Sequence, residues 1–381
     1  MIDLAGEQPR RTHLHDWHVS HGGHMSVFAG FDMPLWYEKT GIIAEHNAVR
    51  NSVGIFDITH MGRFHVEGSG SRRFLNHLVT NDLTRVHVGS SEYALLCRRD
   101  GGILDDLFVY RLENHDFYVV VNASNREKDF TWFAAHVKKY DTSLENISDY
   151  TPMFAVQGRN AVSTLQKLAD SNLSDVPRFG VEIVELHGSR VLISRTGYTG
   201  EDGFEICQFD VPEQDSGKAV ELFEAILDAG KEFGILPCGL GCRDTLRLEA
   251  GMPLYGEDLD EQTTPLEAEL RPFIKFRKKS FIGKKALLAQ RRRGVKRSRI
   301  GLALLDKGIP RTGYEILRGL STVGKISSGS FSPVLDRGIG IGYVERKYAK
   351  KGMILGVKIR GRLVKAEVVK MPSSFIPKKA K

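Results

Sequence analysis

Short apolar segments that alternate with polar positions dominate most of the chain. They are rich in β-branched or aromatic residues and lie close to Gly, Asn or Asp, which is typical of β-strands. Such segments cover residues 54–58, 63–66, 107–112, 116–121, 153–156 and 181–186. Helical periodicity lies between them, at residues 72–78, 126–139, 160–169 and 217–233. Ser124 followed by Glu127 predicts a capping box at the start of the second of these helices.

The order of these segments indicates the fold class. Strands and helices alternate without the regular β-α-β spacing of a nucleotide-binding fold, and neither GxGxxG nor GxxxxGK[ST] occurs. We therefore expect an α+β protein with mixed or antiparallel sheets. Beyond residue 300, strand-like segments with glycine-rich turns follow one another at 300–304, 313–317, 323–327, 339–344, 354–359 and 364–369. This pattern predicts a small all-β module, either a barrel or a jelly roll.

Composition narrows the class of protein further. The chain has 381 residues, 41% of them hydrophobic and 27% charged, which is typical of a globular protein with two or three domains. There is no run of 18 apolar residues and no secretory signal, so we expect neither a membrane span nor export. The four cysteines show no disulfide framework, and no second Cys/His pair follows Cys238 and Cys242. We expect a cytoplasmic protein with buried thiols and no metal site.

Positive charge is concentrated in one segment. Residues 271–299 contain thirteen Lys or Arg and no acid. Since the net charge of the whole chain is +7, the remainder of the chain has a net charge of −6. Such a segment suits RNA, an acidic protein or an anionic ligand tail, or it is simply a solvated helix and linker. Its three phenylalanines, Phe273, Phe276 and Phe281, all precede the densest run at 291–293. Because RNA recognition favours aromatic residues interleaved with basic ones, we do not predict a nucleic-acid partner.

Two adjacent carboxylates, Asp105 and Asp106, stand where a glycine turn enters an apolar strand. Neighbouring side chains on a strand point to opposite faces, so only one of the two acids can face a given site. The alternative is that both cap the turn. A carboxylate on the inward face of an apolar strand is costly to bury unless it has an interaction partner or a catalytic role.

The segment Arg195-Thr-Gly-Tyr-Thr-Gly-Glu-Asp-Gly-Phe-Glu205 is the second candidate. Its glycines admit a flat ligand close to the backbone, and a carboxylate at Glu205 suits a guanidine-like edge with adjacent N–H donors. A plain glycine turn between strands is the alternative. Further along, a glycine loop enters a helix that carries Arg243, which is placed to bind an anion; an Arg–Asp–Glu network within that helix is equally consistent with the spacing.

Together these segments identify a protein family more specifically than any one of them does. The chain resembles the glycine cleavage T-protein family of aminomethyltransferases over nearly its whole length. Eleven ordered motifs carry the resemblance, at residues 28–37, 45–50, 54–62, 80–82, 101–110, 121–123, 156–158, 195–205, 239–255, 281–284 and 327–333.

The resemblance implies roles for particular residues and a three-lobed fold around a central folate channel. The family's catalytic aspartate matches Asp106, its pterin-binding glutamate matches Glu205, and its substrate-binding arginine matches Arg243. Four channel-lining positions match Met61, Tyr110, Asn122 and Tyr198. Asp105 is expected to act in the turn. Two positions depart from the family: Phe375 stands where a tyrosine is common, and Cys242 where a small alanine is usual.

The resemblance also implies a reaction and its partners. The aminomethyl group on the lipoyl arm of H-protein reacts with tetrahydrofolate, ammonia leaves, and 5,10-methylenetetrahydrofolate forms. Tetrahydrofolate is a co-substrate, and no metal is required. Lipoyl carrier proteins tend to be acidic, so the basic segment 271–299 is a candidate docking surface. A tetrahydrofolate-dependent S- or O-demethylase and a non-catalytic folate-binding protein are the alternatives.

The predicted organisation combines the strand and helix pattern with this resemblance. Residues 1–55 and 150–270 form a discontinuous α+β folate-binding domain. Residues 56–149 form an inserted α+β domain with the catalytic strand. A basic linker or helix at 271–299 then leads to a β-barrel domain at 300–381.

Overall fold

A computed structural model describes residues 8–212, 215–370 and 375 of the chain. The helices are α1 (His15–Ser20), α2 (Gly41–Asn51), α3 (Ser71–Leu78), α4 (Arg126–Val137), α5 (Ala161–Gln166), α6 (Gly217–Ala229), α7 (Leu240–Glu249) and α8 (Lys284–Arg293). The strands before α7 are β1 (Gly23–Phe28), β2 (Phe31–Tyr37), β3 (Gly54–Asp57), β4 (Gly62–Glu67), β5 (Ser90–Cys97), β6 (Ile103–Arg111), β7 (Asp116–Val121), β8 (Ser143–Asn146), β9 (Met153–Gln157), β10 (Val181–Leu186), β11 (Ser189–Ser194), β12 (Gly203–Gln208) and β13 (Leu236–Pro237). Those after it are β14 (Arg297–Leu304), β15 (Glu315–Arg318), β16 (Ser321–Ser332), β17 (Arg337–Glu345), β18 (Ile354–Ile359) and β19 (Arg362–Lys370).

By its contacts, the chain divides into two compact units. The first comprises Met1–His77, Asp82–Ala94 and Leu107–Arg243, and the second comprises Leu78–Asn81, Leu95–Asp106 and Asp244–Lys381. This division groups residues differently from the sequence-based domains, whose boundaries stay a prediction.

A six-stranded sheet in the first unit positions the candidate residue Glu205. Its strand order is β10-β11-β12-β9-β3-β13, and all pairs are antiparallel except β3 with β13. Phe204 and Ile206 pack into a buried core with Phe223 of α6. Because side chains alternate along a strand, Glu205 projects from the opposite face. The strand register places it next to Ala155 of β9 on one side and Ser194 of β11 on the other.

A five-stranded sheet has the order β5-β6-β7-β4-β8, and the pairs from β6 to β8 are antiparallel. Phe64 of β4 packs its ring against Phe133 of α4, with ring centres 5.5 Å apart. Val119 lies beside Phe64 in the register and pairs with Val109 of β6, so these buried residues form one apolar face. Tyr110, its neighbour on β6, therefore faces the other way.

The C-terminal strands close into a barrel in the order β14-β17-β16-β15-β18-β19, with β19 pairing back onto β14. Its interior is filled by aliphatic residues such as Leu302, Ile326 and Val357, which are buried. The expected all-β module is thus a barrel, and the jelly-roll alternative is wrong. The first barrel strand begins at Arg297, inside the basic segment.

The predicted elements can be compared with these bounds. Each of the strand and helix segments named above forms in the structure, although helix α6 ends at Ala229, before a 3₁₀ turn at Lys231–Phe233. The capping box is wrong: Ser124 lies inside a 3₁₀ turn, and α4 begins after Asn125 without a side-chain cap. Among the described residues, no helix is long and apolar enough to cross a membrane.

Candidate active site

Glu205 is the centre of a polar cluster in the first unit. Its Oε2 accepts hydrogen bonds from Thr196 Oγ1 at 2.5 Å and from the Tyr110 hydroxyl at 3.4 Å. Thr196 Oγ1 also lies 3.0 Å from Ser194 Oγ. No described residue donates to Glu205 Oε1, so one oxygen of this nearly buried carboxylate is available to a ligand. Burial, followed by the charge of Glu205, raises the pKa of Tyr110 well above its ordinary value and keeps its hydroxyl protonated.

Gln157 at the end of β9 holds the loop that carries Thr196 and Tyr198 through two side-chain hydrogen bonds. Gln157 Nε2 donates to the Thr196 carbonyl at 3.0 Å, and its Oε1 accepts from Thr199 Oγ1 at 2.8 Å. The close approach requires a glycine, since a Cβ on Gly197 would lie 2.0 Å from Gln157 Oε1. The glycine-rich loop predicted from the sequence is therefore a rigid wall of the cluster.

Arg243 lies in α7, and its guanidinium carbon is 4.8 Å from the ring centre of Tyr198. Its guanidinium forms no hydrogen bond or ion pair with a described residue. Burial lowers the pKa of Arg243, while the negative charge of Glu205 acts in the opposite direction. A guanidinium that is partly desolvated and not engaged by the protein is well suited to bind a carboxylate or carbonyl oxygen.

Met61 and Asn122 lie together at one end of the five-stranded sheet. Gly62 at the start of β4 pairs with Val121 at the end of β7, so the residues just outside this pair are neighbours. A side chain at position 62 is excluded because its Cβ would lie 2.4 Å from Val121 Cγ2. Met61 and Asn122 are both half-buried, and Met61 N–H donates to the Ile58 carbonyl at 3.1 Å.

His60 was not singled out by the sequence patterns, although it stands beside Met61. Its ring is almost fully buried against the edges of Phe28 and Phe31, and its Nδ1 has no hydrogen-bond partner among the described atoms. Burial, together with the positive charges of Arg243, Arg63 and Arg126, lowers the pKa of His60 to about 3. The imidazole is therefore neutral at physiological pH.

The paired acids lie in the strand β6, in the part that belongs to the second unit. Asp105 is fully buried and Asp106 is half-buried. Alternation along β6 places Asp106 on the face of Phe108 and Tyr110, and Asp105 on the face of the buried Leu107 and Val109.

The expected turn role of Asp105 is wrong. The turn at Arg98–Gly102 is instead capped by Asp100, whose Oδ1 accepts from Gly102 N–H at 3.1 Å. The strand extends closer to this turn than the sequence pattern indicated, since β6 begins at Ile103. Its first residue is fixed within the second unit, where Ile103 N–H donates to the Thr263 carbonyl and its own carbonyl accepts from the Tyr255 hydroxyl.

The helix that follows Arg243 also contains the structural network considered as an alternative. Arg247 pairs with Asp244 and with the buried Asp258, each at 2.7 Å, and Glu249 accepts from Ser332 Oγ at 2.5 Å. The structural network therefore forms, while anion binding by Arg243 stays a prediction. Asp244, Arg247 and Glu249 hold this helix end to the barrel, whereas Arg243 takes no part.

Phe375, which stands where the family commonly has a tyrosine, packs against the end of α7 and strand β17. Its N–H donates to the Glu249 carbonyl at 2.8 Å, and its ring packs against Leu248, Ile339 and Ile341. The contact at this position is apolar. Cys238 and Cys242 are buried, as expected for packed thiols.

The residues that sequence reasoning missed are Ser194, Thr196 and Gln157, which support the Glu205 cluster, and His60, which stands beside Met61. All four lie within or next to the motifs quoted above, which is the one signal that could have found them. Within residues 8–212, 215–370 and 375, no three His, Cys, Asp or Glu side chains are grouped to hold a metal ion.

The chain is similar to known proteins over nearly its whole length. The sequence model of the GCVT N-terminal domain matches residues 14–278, and that of the glycine cleavage T-protein C-terminal barrel domain matches residues 297–373. An aminomethyltransferase of Thermoanaerobacter sp. (strain X514) is 44% identical over 94% of this chain and 96% of its own length. One from Desulfitobacterium hafniense (strain DSM 10664 / DCB-2) is 44% identical over 96% of this chain and 98% of its own.

A solved structure agrees in fold as well. The crystal structure of the glycine cleavage system aminomethyltransferase T from Bartonella henselae superposes with a TM-score of 0.88 and 31% identity, covering 96% of this chain and 98% of that one. With both family domains matched in order and relatives similar along nearly their whole length, the chain belongs to the glycine cleavage T-protein family of aminomethyltransferases.

Proposed function

We propose that the chain transfers the methylene carbon of the aminomethyl group on a lipoylated H-protein to tetrahydrofolate, with release of ammonia. The observation that carries this proposal is the open oxygen of Glu205, beside Tyr110 and the glycine-rich loop at 195–200. A pterin presents adjacent N–H donors along one edge, and a carboxylate is the side chain that pairs with such an edge. Tetrahydrofolate, as a substrate, supplies the nucleophilic nitrogen that takes up the carbon.

The residues of the cluster then have separate tasks. Glu205 orients the ring through charge-assisted hydrogen bonds, and Thr196 fixes the carboxylate by holding its Oε2. Tyr198 offers a flat wall, while Arg243 provides a cation for a substrate oxygen. Met61 and Asn122 are proposed to line the same channel. Together these residues hold the reactants in one orientation, and positioning of this kind can provide an effective concentration of about 10⁵ M or more.

Asp106 is proposed as the residue that assists the chemistry. A carboxylate at this position stabilises the positive charge that develops on the carbon during transfer, and it also orients the attacking nitrogen. The support is the match of Asp106 to the family's catalytic aspartate together with the alternation along β6. Asp105, on the apolar face, is proposed to have only a structural role.

The test is ammonia release from aminomethylated H-protein at saturating tetrahydrofolate. Asp106→Asn keeps the size of the side chain but removes its charge, which should cost about 3–5 kcal/mol, or roughly 10²–10⁴ in rate. Folate binding should survive. Asp105→Asn is the matched control, expected to lower stability by about 1 kcal/mol with little effect on the rate. If Asp105→Asn is the inactive variant and Asp106→Asn turns over normally, the assignment fails by one residue.

The basic segment 271–299 is proposed as the surface that attracts the acidic carrier protein. Arg291, Arg292 and Arg293 are exposed at the C-terminal end of α8, and none of them forms an ion pair with a described residue. Arg291 lies over the ring of Phe276, with 4.3 Å between the guanidinium carbon and the ring centre. Exposed cations without acidic partners raise the association rate with an oppositely charged protein more than they raise affinity.

We further propose a cytoplasmic location. All four cysteines are buried and none forms a disulfide, in agreement with a reducing compartment. Fractionation of cells that produce the protein, followed by immunodetection, tests this point directly.

A further inference from the structure

Arg63, the second residue of β4, is a fully buried arginine. No carboxylate of a described residue lies within ion-pair distance of its guanidinium. A charge buried in this way is costly unless its donors are satisfied, and replacing buried ions by apolar residues is often neutral or stabilising. Its presence therefore calls for an account other than stability.

All the hydrogen-bond partners of the Arg63 guanidinium are neutral oxygens. Nη1 donates to the carbonyls of Thr59 at 2.9 Å and Met61 at 2.5 Å. Nη2 donates to the Ser148 carbonyl, and Nε donates to Thr151 Oγ1 at 3.1 Å. Two of the four contacts thus fall on the short segment 58–61 that leads from β3 to β4.

The same segment is held from its other end by a buried acid. Asp57 Oδ1 accepts from Thr59 N–H at 2.8 Å, while its Oδ2 accepts from Thr12 Oγ1 at 2.7 Å and lies 3.1 Å from His18 Nε2. Asp57 and Arg63 therefore enclose the corner 58–61, which presents His60 and Met61. Burial lowers the pKa of Arg63 to about 10, so the guanidinium remains charged at neutral pH and keeps all its donors.

We propose that Arg63 is a positioning residue that sets the path of the corner 58–61 and so fixes the Met61 side chain and the His60 ring. The guanidinium touches the main chain of the corner at two carbonyls, one of them that of Met61 itself. Lysine cannot reproduce this fork, since its three donors diverge from a single nitrogen. The expected effect on folate binding rests on the proposed function, whereas the effect on the corner does not.

The experiment compares Arg63→Met, Arg63→Lys and a matched control, Arg111→Met. Arg111 is also buried and also donates to neutral oxygens, those of Val86 at 2.6 Å and Asn114 at 2.9 Å, but it touches no residue of the corner. The chain has eight methionines, so ¹³C-methyl labelling gives few signals, and Met61→Leu assigns the one from Met61. Tetrahydrofolate binding is measured in parallel by calorimetry.

Arg63→Met should shift or broaden the Met61 methyl signal and weaken folate binding by 10-fold or more, as is common when a supporting residue is lost. Arg63→Lys should give an intermediate result, and Arg111→Met should leave both readouts at wild-type values. A folded Arg63→Met or Arg63→Lys protein with an unchanged Met61 signal overturns the proposal. An altered signal with unchanged folate binding retains the positioning of the corner and rejects its part in the proposed site.

Discussion

The most informative perturbation of the proposed site is Glu205→Gln. In the wild-type protein, Oε2 accepts from Thr196 and Tyr110, and Oε1 is open to a ligand. Glutamine offers one oxygen and one NH₂ group in the same space. If the amide nitrogen takes the open position, a donor faces the donors of the pterin. If it takes the other position, it faces two hydroxyl donors of the protein.

Either orientation loses the charge, and the first also loses the hydrogen bond to the ligand. Hydrogen bonds to charged groups contribute about 1.5–3 kcal/mol each. We therefore expect the dissociation constant for tetrahydrofolate to rise by about 10- to 150-fold. The change in stability should be small, because Thr196 and Tyr110 can reorient their hydroxyl groups.

Isothermal titration with tetrahydrofolate measures this difference directly. Glu185→Gln is the matched control, because Glu185 is an exposed carboxylate in β10 of the same sheet. It should bind tetrahydrofolate with wild-type affinity. A correctly folded Glu205→Gln protein with unchanged affinity would remove Glu205 from the site and refute the argument from its open oxygen.

Three further predictions concern the interaction with H-protein, the pH dependence of unfolding and the glycine-rich loop. Charge reversal at 291–293 should raise the KM for lipoylated H-protein and spare folate affinity, with the defect shrinking at high salt because exposed charges are screened. Burial acts to raise the pKa of Asp57, but hydrogen bonding to His18 lowers it well below its ordinary value. The contribution of Asp57 to the free energy of unfolding is therefore present above about pH 4 and is lost as the pH falls below that. Urea unfolding from pH 7 to pH 3 should show a smaller loss in Asp57→Asn than in wild type. Gly197→Ala should displace Gln157 and weaken folate binding in calorimetry by about 10-fold, since supporting contacts are commonly worth that much.

Each of these has an outcome that contradicts it. Normal turnover of the charge-reversed protein with H-protein at low ionic strength would make the basic run a solvated face. Parallel stability curves for Asp57→Asn and wild type would show that Asp57 does not link unfolding to pH. Wild-type folate affinity in Gly197→Ala would mean that the loop adapts without cost. Gly217→Ala at the exposed start of α6, where a Cβ can be accommodated, is the control.

The sequence predicted elements well where local patterns decide them. Each segment of alternating or short apolar residues formed a strand, because burial of one face requires that pattern. The cap at Ser124 failed because the chain makes a 3₁₀ turn first, and α4 starts without the side-chain bond that the motif assumes. The turn role predicted for Asp105 was wrong for a similar reason, since β6 begins two residues before it.

The supporting residues of the site were harder to predict for a different reason. Gln157 and Thr196 are 39 positions apart and meet only because β9 and β12 pair. Arg63 has the pattern of a polar residue on the outer face of a strand, yet residues 148–151 cover that face. Motif resemblance supplied Glu205 as a candidate because the motif at 195–205 ends on it.

The closed barrel has a consequence for the newly synthesised protein. Its first strand, β14, pairs with β19, which is the last of the six to leave the ribosome. Until Arg362–Lys370 has emerged, β14 and β18 each present an unpaired edge, and such edges readily pair with other chains. A message truncated before codon 362 should therefore yield a product that aggregates or requires a chaperone.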